Sequence, residues 1–257
     1  CAAPLLAAVD AAEAVMEAGT SATAISESMA KLNEEVLAFL ALVSPSDMAQ
    51  PFDLSFFLIN ASLDGGCTGW STNATFNYSL CEFYQSSFDF NQTTTQKMPI
   101  GTYEMRVQAF QRPGAWETTY NDYVVGGKNN CDAKAYIKTK SVAIKNIWDD
   151  ANTRSLGGTT KSKAGKYIPD NMQAASMWFA KEYYDNSVMV NTTIPATIKV
   201  GVRGTKADDG FWTCFDNFRL YYYGAYSIED VTAVDAPRTQ SAAKADAIYD
   251  LSGRKVT

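Results

Sequence analysis

Thr102-Tyr103-Glu104-Met105-Arg106-Val107-Gln108-Ala109 alternates polar and apolar side chains with period two, and it decides how the middle of the chain is read. The pattern predicts an antiparallel strand with one buried face. Outward from it, residues 52 to 223 keep the same character: aromatic and β-branched side chains, punctuated at short intervals by Gly, Asn, Asp and Pro. Candidate strands are 52–59, 74–78, 81–95, 101–110, 133–147, 187–193, 196–203 and 211–223. About eight such strands predict a mainly β fold, an antiparallel β-sandwich or jelly roll. A short helix is expected over 170–183, capped by Asp170, with Met172, Ala175, Met177, Trp178 and Phe179 as its apolar contacts.

Before the strands the composition is helical. Residues 2–43 are rich in Ala, Leu, Val, Met and Glu, and Gly19 breaks them into two helices. Thr20 and Ser21 can cap the second, in which Ile25, Met29, Leu32, Val36, Phe39, Leu40 and Val43 recur at three-and-four spacing. An N-terminal α-helical hairpin this short must pack on a neighbour. The expected organisation is a helical hairpin over 1–45, a β domain over 46–226, and a linker with the start of a small β unit over 227–257.

Composition removes several kinds of chemistry. The formal net charge of -6 and pI near 4.8, without a cluster of Lys and Arg, speak against nucleic acid. No apolar run is long enough to span a bilayer. The absence of His removes the commonest general base and the commonest transition-metal ligand, and with them zinc and Ser-His-Asp catalysis. The Gly pairs at 65, 126 and 157 lack the spacing of a phosphate loop. The 5 cysteines have no CxxC spacing. Cys67 and Cys81 flank an apparent hairpin and could pair, but an odd count leaves at least one thiol over. Cys1 runs straight into an Ala-rich helix with no polar tether, which fits a fragment boundary or signal-peptide end better than a lipid anchor.

Two resemblances follow from particular residues. The segment Ile248-Tyr249-Asp250-Leu251-Ser252-Gly253-Arg254-Lys255-Val256 resembles the opening of the C-terminal sorting tails of proteins exported by the type IX secretion route. That likeness implies a bacterial, secreted or cell-surface protein; the Asn-x-Ser/Thr triplets at Asn60, Asn73, Asn77, Asn91 and Asn191 are then chance rather than glycan acceptors. The β region resembles the galactose-binding-like jelly-roll superfamily, to which many carbohydrate-binding modules belong. The likeness lies in 56–70 (FFLINASLDGGCTGW), 98–110 (MPIGTYEMRVQAF) and 197–224, which ends WTCFDNFRLYYYG. It implies a non-catalytic module for a polysaccharide or oligosaccharide, and a structural calcium with Asp64 and Asp216 as its matching ligands. Asp64 could instead belong to an Asp-Gly turn and Asp216 to a bulge.

Sugar rings present an apolar C–H face, so their sites use Trp or Tyr platforms flanked by polar side chains. The expected site is the segment after the 101–110 strand: Trp116, Tyr120 and Tyr123 as platforms, with Arg112, Glu117 and Asn121 bonding hydroxyls. Trp148, with Asp149, Asp150 and Asn152, is a second candidate. These aromatics could equally cover the sandwich edge or dock the hairpin, leaving a structural or adhesive spacer beside a catalytic domain. Trp70, Trp178, Phe179, Trp212, Phe215 and Phe218 are expected in the core. No carboxylate pair stands out for glycoside hydrolysis.

Overall fold

The computed structural model describes residues 2–235 together with 248–249 and 255–256. Helix α1 (Ala3–Glu17) begins on Pro4 and ends before Gly19, whose φ of +58° needs no side chain. Helix α2 (Ala22–Leu40) is capped by Ser21, whose Oγ accepts from the Ala24 N–H at 3.3 Å. The hairpin docks through the end of α2. Leu40 is buried, and the Tyr222 hydroxyl donates to its carbonyl at 3.3 Å.

The strands follow in chain order: β1 (Phe52–Asp53), β2 (Thr75–Asn77), β3 (Leu80–Tyr84), β4 (Phe88–Thr93) and β5 (Gly101–Pro113). After the short helix α3 (Trp116–Thr119) and a π-helical turn over Tyr120–Val125 come β6 (Lys134–Ile137), β7 (Lys140–Ala143) and β8 (Lys145–Asn146). A hairpin of β9 (Thr160–Lys163) and β10 (Lys166–Pro169) leads into helix α4 (Met172–Phe179). Then come β11 (Asp185–Thr192), β12 (Lys199–Gly204), β13 (Phe211–Tyr222) and helix α5 (Ile228–Asp235).

Two mainly antiparallel sheets face each other, so the expected β-sandwich with an N-terminal helical hairpin is what the chain forms. The larger has seven strands, in the order β11-β5-β13-β3-β2, with β1 beside β13 and β8 parallel to β5. The smaller has the order β4-β12-β6-β7. Between them Tyr103, Met105, Val107, Phe215, Leu220 and Tyr222 of the larger sheet meet Phe90, Ala135, Ile137, Val200 and Val202 of the smaller. Trp70 lies under the first loop as expected, stacked on Phe90 with centroids 4.7 Å apart.

Several expectations need correction. The strand over 52–59 stops after Asp53, because that carboxylate accepts from the Ser55 N–H at 2.8 Å and turns the chain into a 3₁₀ turn over Ser55–Phe57. The strand over 81–95 is two strands in different sheets, divided at Gln85 with φ +51°. The stretch 133–147 divides into three. The helix cap at 170 is in fact Asn171, which accepts from the Ala174 N–H at 2.9 Å. At the start of the expected linker, Ser227 and Asp230 form a reciprocal capping box for α5.

The correction with most consequence concerns β5. It is buried on both faces, with Glu104 only 1% exposed and Gln111 likewise 1%. The segment 144–184 packs a second core on the outer face of the larger sheet, formed by Phe110, Ile147, Trp148, Ile168, Trp178, Phe179, Tyr184 and Trp212. At the far end of the chain Ile248–Tyr249 pairs antiparallel with Lys255–Val256, and the other residues of the tail likeness lie outside the described residues.

Candidate functional site

The second core divides the outer face of the larger sheet. In register, Arg112 on β5 pairs with Trp212 on β13, and Trp212 pairs with Tyr84 on β3, so all three point outward in one row. Next to that row Phe110 and Cys214 are sealed under the 144–184 segment. Beyond them Gln108 pairs with Asp216, and Arg106 with Arg219.

A cleft of about 470 Å³ opens at the Arg112 end, walled by the β2–β3 hairpin on one side and by Asp170, Asn171 and Met172 on the other. The hairpin tip is Tyr78-Ser79, with φ of +52° and +58° at both positions. Two-residue turns with this geometry normally carry Asn-Gly, and a bulky residue held there costs roughly 1 to 3 kcal/mol. Tyr78 stands at the lip, 48% exposed, and Tyr84 further along the wall, 52% exposed. Among the described residues no cation covers either ring.

The floor is polar and tightly wired. Arg112 Nη1 donates to Asp170 Oδ1 at 2.6 Å, and the guanidinium lies 5.1 Å above the Trp212 ring. Trp212 Nε1 donates to Glu82 Oε2 at 2.5 Å. Burial pushes the Glu82 carboxyl above the usual carboxylate range, opposed by the Trp212 hydrogen bond and the charge of Arg112. Asp170 is also 3.5 Å from Lys161 Nζ.

The residues expected from sequence divide. Arg112 lines this cleft. Trp148 does not serve as a platform: it is 6% exposed and in edge contact with Tyr120, centroids 4.9 Å apart. Trp116, Tyr120 and Tyr123 are half-buried against the second core. Lys161 Nζ lies 6.0 Å from the Trp116 ring centroid and Lys163 Nζ 5.0 Å from that of Tyr120, while the Tyr123 hydroxyl bonds Asp149. Glu117 and Asn121 are exposed on the outside of this turn. Trp116 and Tyr120 fall within a short helix and π turn, from which Tyr120 meets Trp148 and both rings pack against the second core.

The cleft's two tyrosines were missed for a readable reason. The break between the strands over 74–78 and 81–95 was legible, but Asn77-Tyr78-Ser79-Leu80 contains neither Gly nor Pro, so nothing marked the tight turn that carries Tyr78 at its tip. The usable signal is an aromatic residue between two short β runs. A second depression, of about 500 Å³, lies beyond the insert among Arg106, Gln108, Phe179, Arg219 and Tyr221. Arg106 lies 5.4 Å over the Tyr221 ring there, which leaves no bare aromatic face for stacking.

Asp64 acts on Asp216 through its charge. Burial, and then the charge of Asp64, push the Asp216 carboxyl up to about 7, against the Asn217 N–H that holds its charged form. An exposed and a buried carboxylate fit a cation's oxygen donors in kind. Among the described residues no third His, Cys, Asp or Glu joins them, so carbonyl oxygens would have to supply the remaining ligands.

No family model matches the sequence, and no curated protein matches it. Among solved structures the chain is similar to TmCBM61, determined in complex with beta-1,4-galactotriose, at 14% identity over 65% of this chain and 97% of that one, with a TM-score of 0.31.

Proposed function

We propose that this chain is a non-catalytic carbohydrate-binding module, secreted or attached to the bacterial cell surface, that takes a polysaccharide or oligosaccharide in the cleft between the β2–β3 hairpin and α4. The observation that carries this is the pair of bare tyrosine rings, Tyr78 and Tyr84, standing over a polar floor of Asn77, Glu82, Arg112, Asp170 and Asn171. Rings stack on the apolar face of a sugar while the floor bonds its hydroxyls. A binding role also suits the floor's wiring: Asp170 is held by two cations and Glu82 by an indole N–H, which fixes both as hydrogen-bond acceptors. The sorting-tail likeness supports export. Calcium at Asp64 and Asp216 belongs to the same proposal, as a tie between the first loop and the last strand rather than as chemistry.

A structural or adhesive spacer is the second possibility, favoured by one observation: Trp116, Tyr120 and Trp148 are packed on protein. In a spacer the cleft would meet a neighbouring domain of a longer chain. Affinity electrophoresis against a panel of polysaccharides, with Tyr84→Ala alongside the unaltered chain, separates the two. A retarded band that Tyr84→Ala weakens supports binding, and a blank panel supports the spacer.

A further inference from the structure

We propose that Cys67 and Cys81 form a disulfide when the folded chain meets a thiol oxidant such as oxidised glutathione, closing the first loop onto β3. Their sulfurs lie 3.6 Å apart, Cys67 in the first loop and Cys81 on β3. A disulfide needs about 2.05 Å, so closure asks for about 1.5 Å, within reach of χ rotation at the two residues. The loop is already shaped for it. Cys67 Sγ accepts the Ala74 N–H at 3.3 Å, a bond the sulfur keeps after oxidation, and Cys81 is fixed by its pairing with Phe76 and Phe215.

Neither of the other two described thiols has a sulfur in direct contact. Cys131 Sγ is 3.4 Å from the Gln111 carbonyl, and Cys214 is sealed in the second core. Cys67, half-buried, is the residue an oxidant reaches, whereas Cys81 is fully buried. The order of steps follows. The Cys67 thiol loses its proton and attacks one sulfur of oxidised glutathione, forming a mixed disulfide and releasing one glutathione thiolate. The Cys81 thiol then loses its proton to water and attacks Cys67 Sγ, releasing the second glutathione. The pair gives up two electrons, and glutathione disulfide takes them. The apolar surroundings that hold the Cys81 thiol in its protonated form make the second step the slow one.

The test uses the full chain, purified reduced, incubated with oxidised glutathione, alkylated in denaturant and digested without reduction. Mass spectrometry should find the Cys67 and Cys81 peptides joined, with Cys131 and Cys214 alkylated. Cys67 and Cys81 both alkylated, a stable glutathione adduct on Cys67, or either residue joined to a different cysteine would overturn the proposal. In parallel, oxidation should raise Tm by roughly 6 to 12 °C, the expectation for closing a loop of about 15 residues in a chain of this size. Cys67→Ala should abolish that rise while Cys131→Ser keeps it; a rise that survives Cys67→Ala contradicts the assignment.

Discussion

Trp212 and Glu82 sit diagonally across β13 and β3, and the indole N–H donates to the carboxylate at 2.5 Å while Arg112 covers the indole's face. The tryptophan is thereby spent on holding the floor of the cleft. In the proposed binding mode the two tyrosines at its edge are left to meet a sugar.

Tyr84→Ala and Tyr78→Ala should each weaken binding to any glycan that the chain retains by roughly tenfold, about 1.4 kcal/mol, as loss of one stacked ring requires. Trp116→Ala should change it less than about twofold, because that ring is partly buried against the second core and away from the cleft. Titration calorimetry against the retained glycan checks both. A larger loss at Trp116 than at Tyr84 would move the site to the outside of the α3 turn.

Trp148→Ala should destabilise the fold by roughly 3 to 5 kcal/mol, the range for removing a large buried aromatic. Glycan affinity of the folded fraction should stay unchanged. Trp148→Phe should cost far less, since the indole N–H is buried without a hydrogen-bond partner among the described residues. Urea denaturation curves read these effects directly.

Arg112→Ala should lower stability by about 2 kcal/mol, because it removes one partner of a mostly buried ion pair and uncovers the Trp212 ring. Arg112→Lys should recover only part of this, since an ammonium does not reproduce a guanidinium that bonds Asp170 and lies over an indole together. The same pair should move the intrinsic fluorescence of Trp212.

Asp216 gives a pH dependence with a definite sign. Its folded pKa, near 7, lies above the unfolded value of 3.8, so the folded state binds the proton more tightly. Its contribution is full below about pH 3.8, declines as pH rises, and is lost above about 7. In chelator, Tm should therefore fall over that interval, and Asp216→Asn should flatten the fall. Calcium should restore Tm at pH 8 and do little at pH 5, and Asp64→Asn should blunt the restoration. Scanning calorimetry with and without calcium decides it; an unaltered chain indifferent to calcium at pH 8 removes the ion from the account.

By itself the sequence determined what depends on periodicity and on local hydrogen bonds. Period-two alternation in 102–109 put β5 in a sheet, the apolar spacing in 22–40 made α2, and Ser21 capped it. Gly19 ended the first helix for a reason confined to its own φ. Arg112 follows directly on the 101–110 strand, so its place at the end of β5 was legible, whereas its ion pair with Asp170 was not.

Tertiary structure alone decided which aromatics stay bare. Whether a ring faces water depends on what packs over it, and the cover comes from segments remote in sequence: Lys161 and Lys163 on the β9–β10 hairpin lie over Trp116 and Tyr120. That hairpin is too polar to show as strands, so the second core it helps close over β5 was invisible from local pattern. Tyr78 and Tyr84 are free because the β2–β3 hairpin lies at the sheet's edge, where no layer crosses them. Burial is a sum over distant neighbours, and no window along the chain contains it.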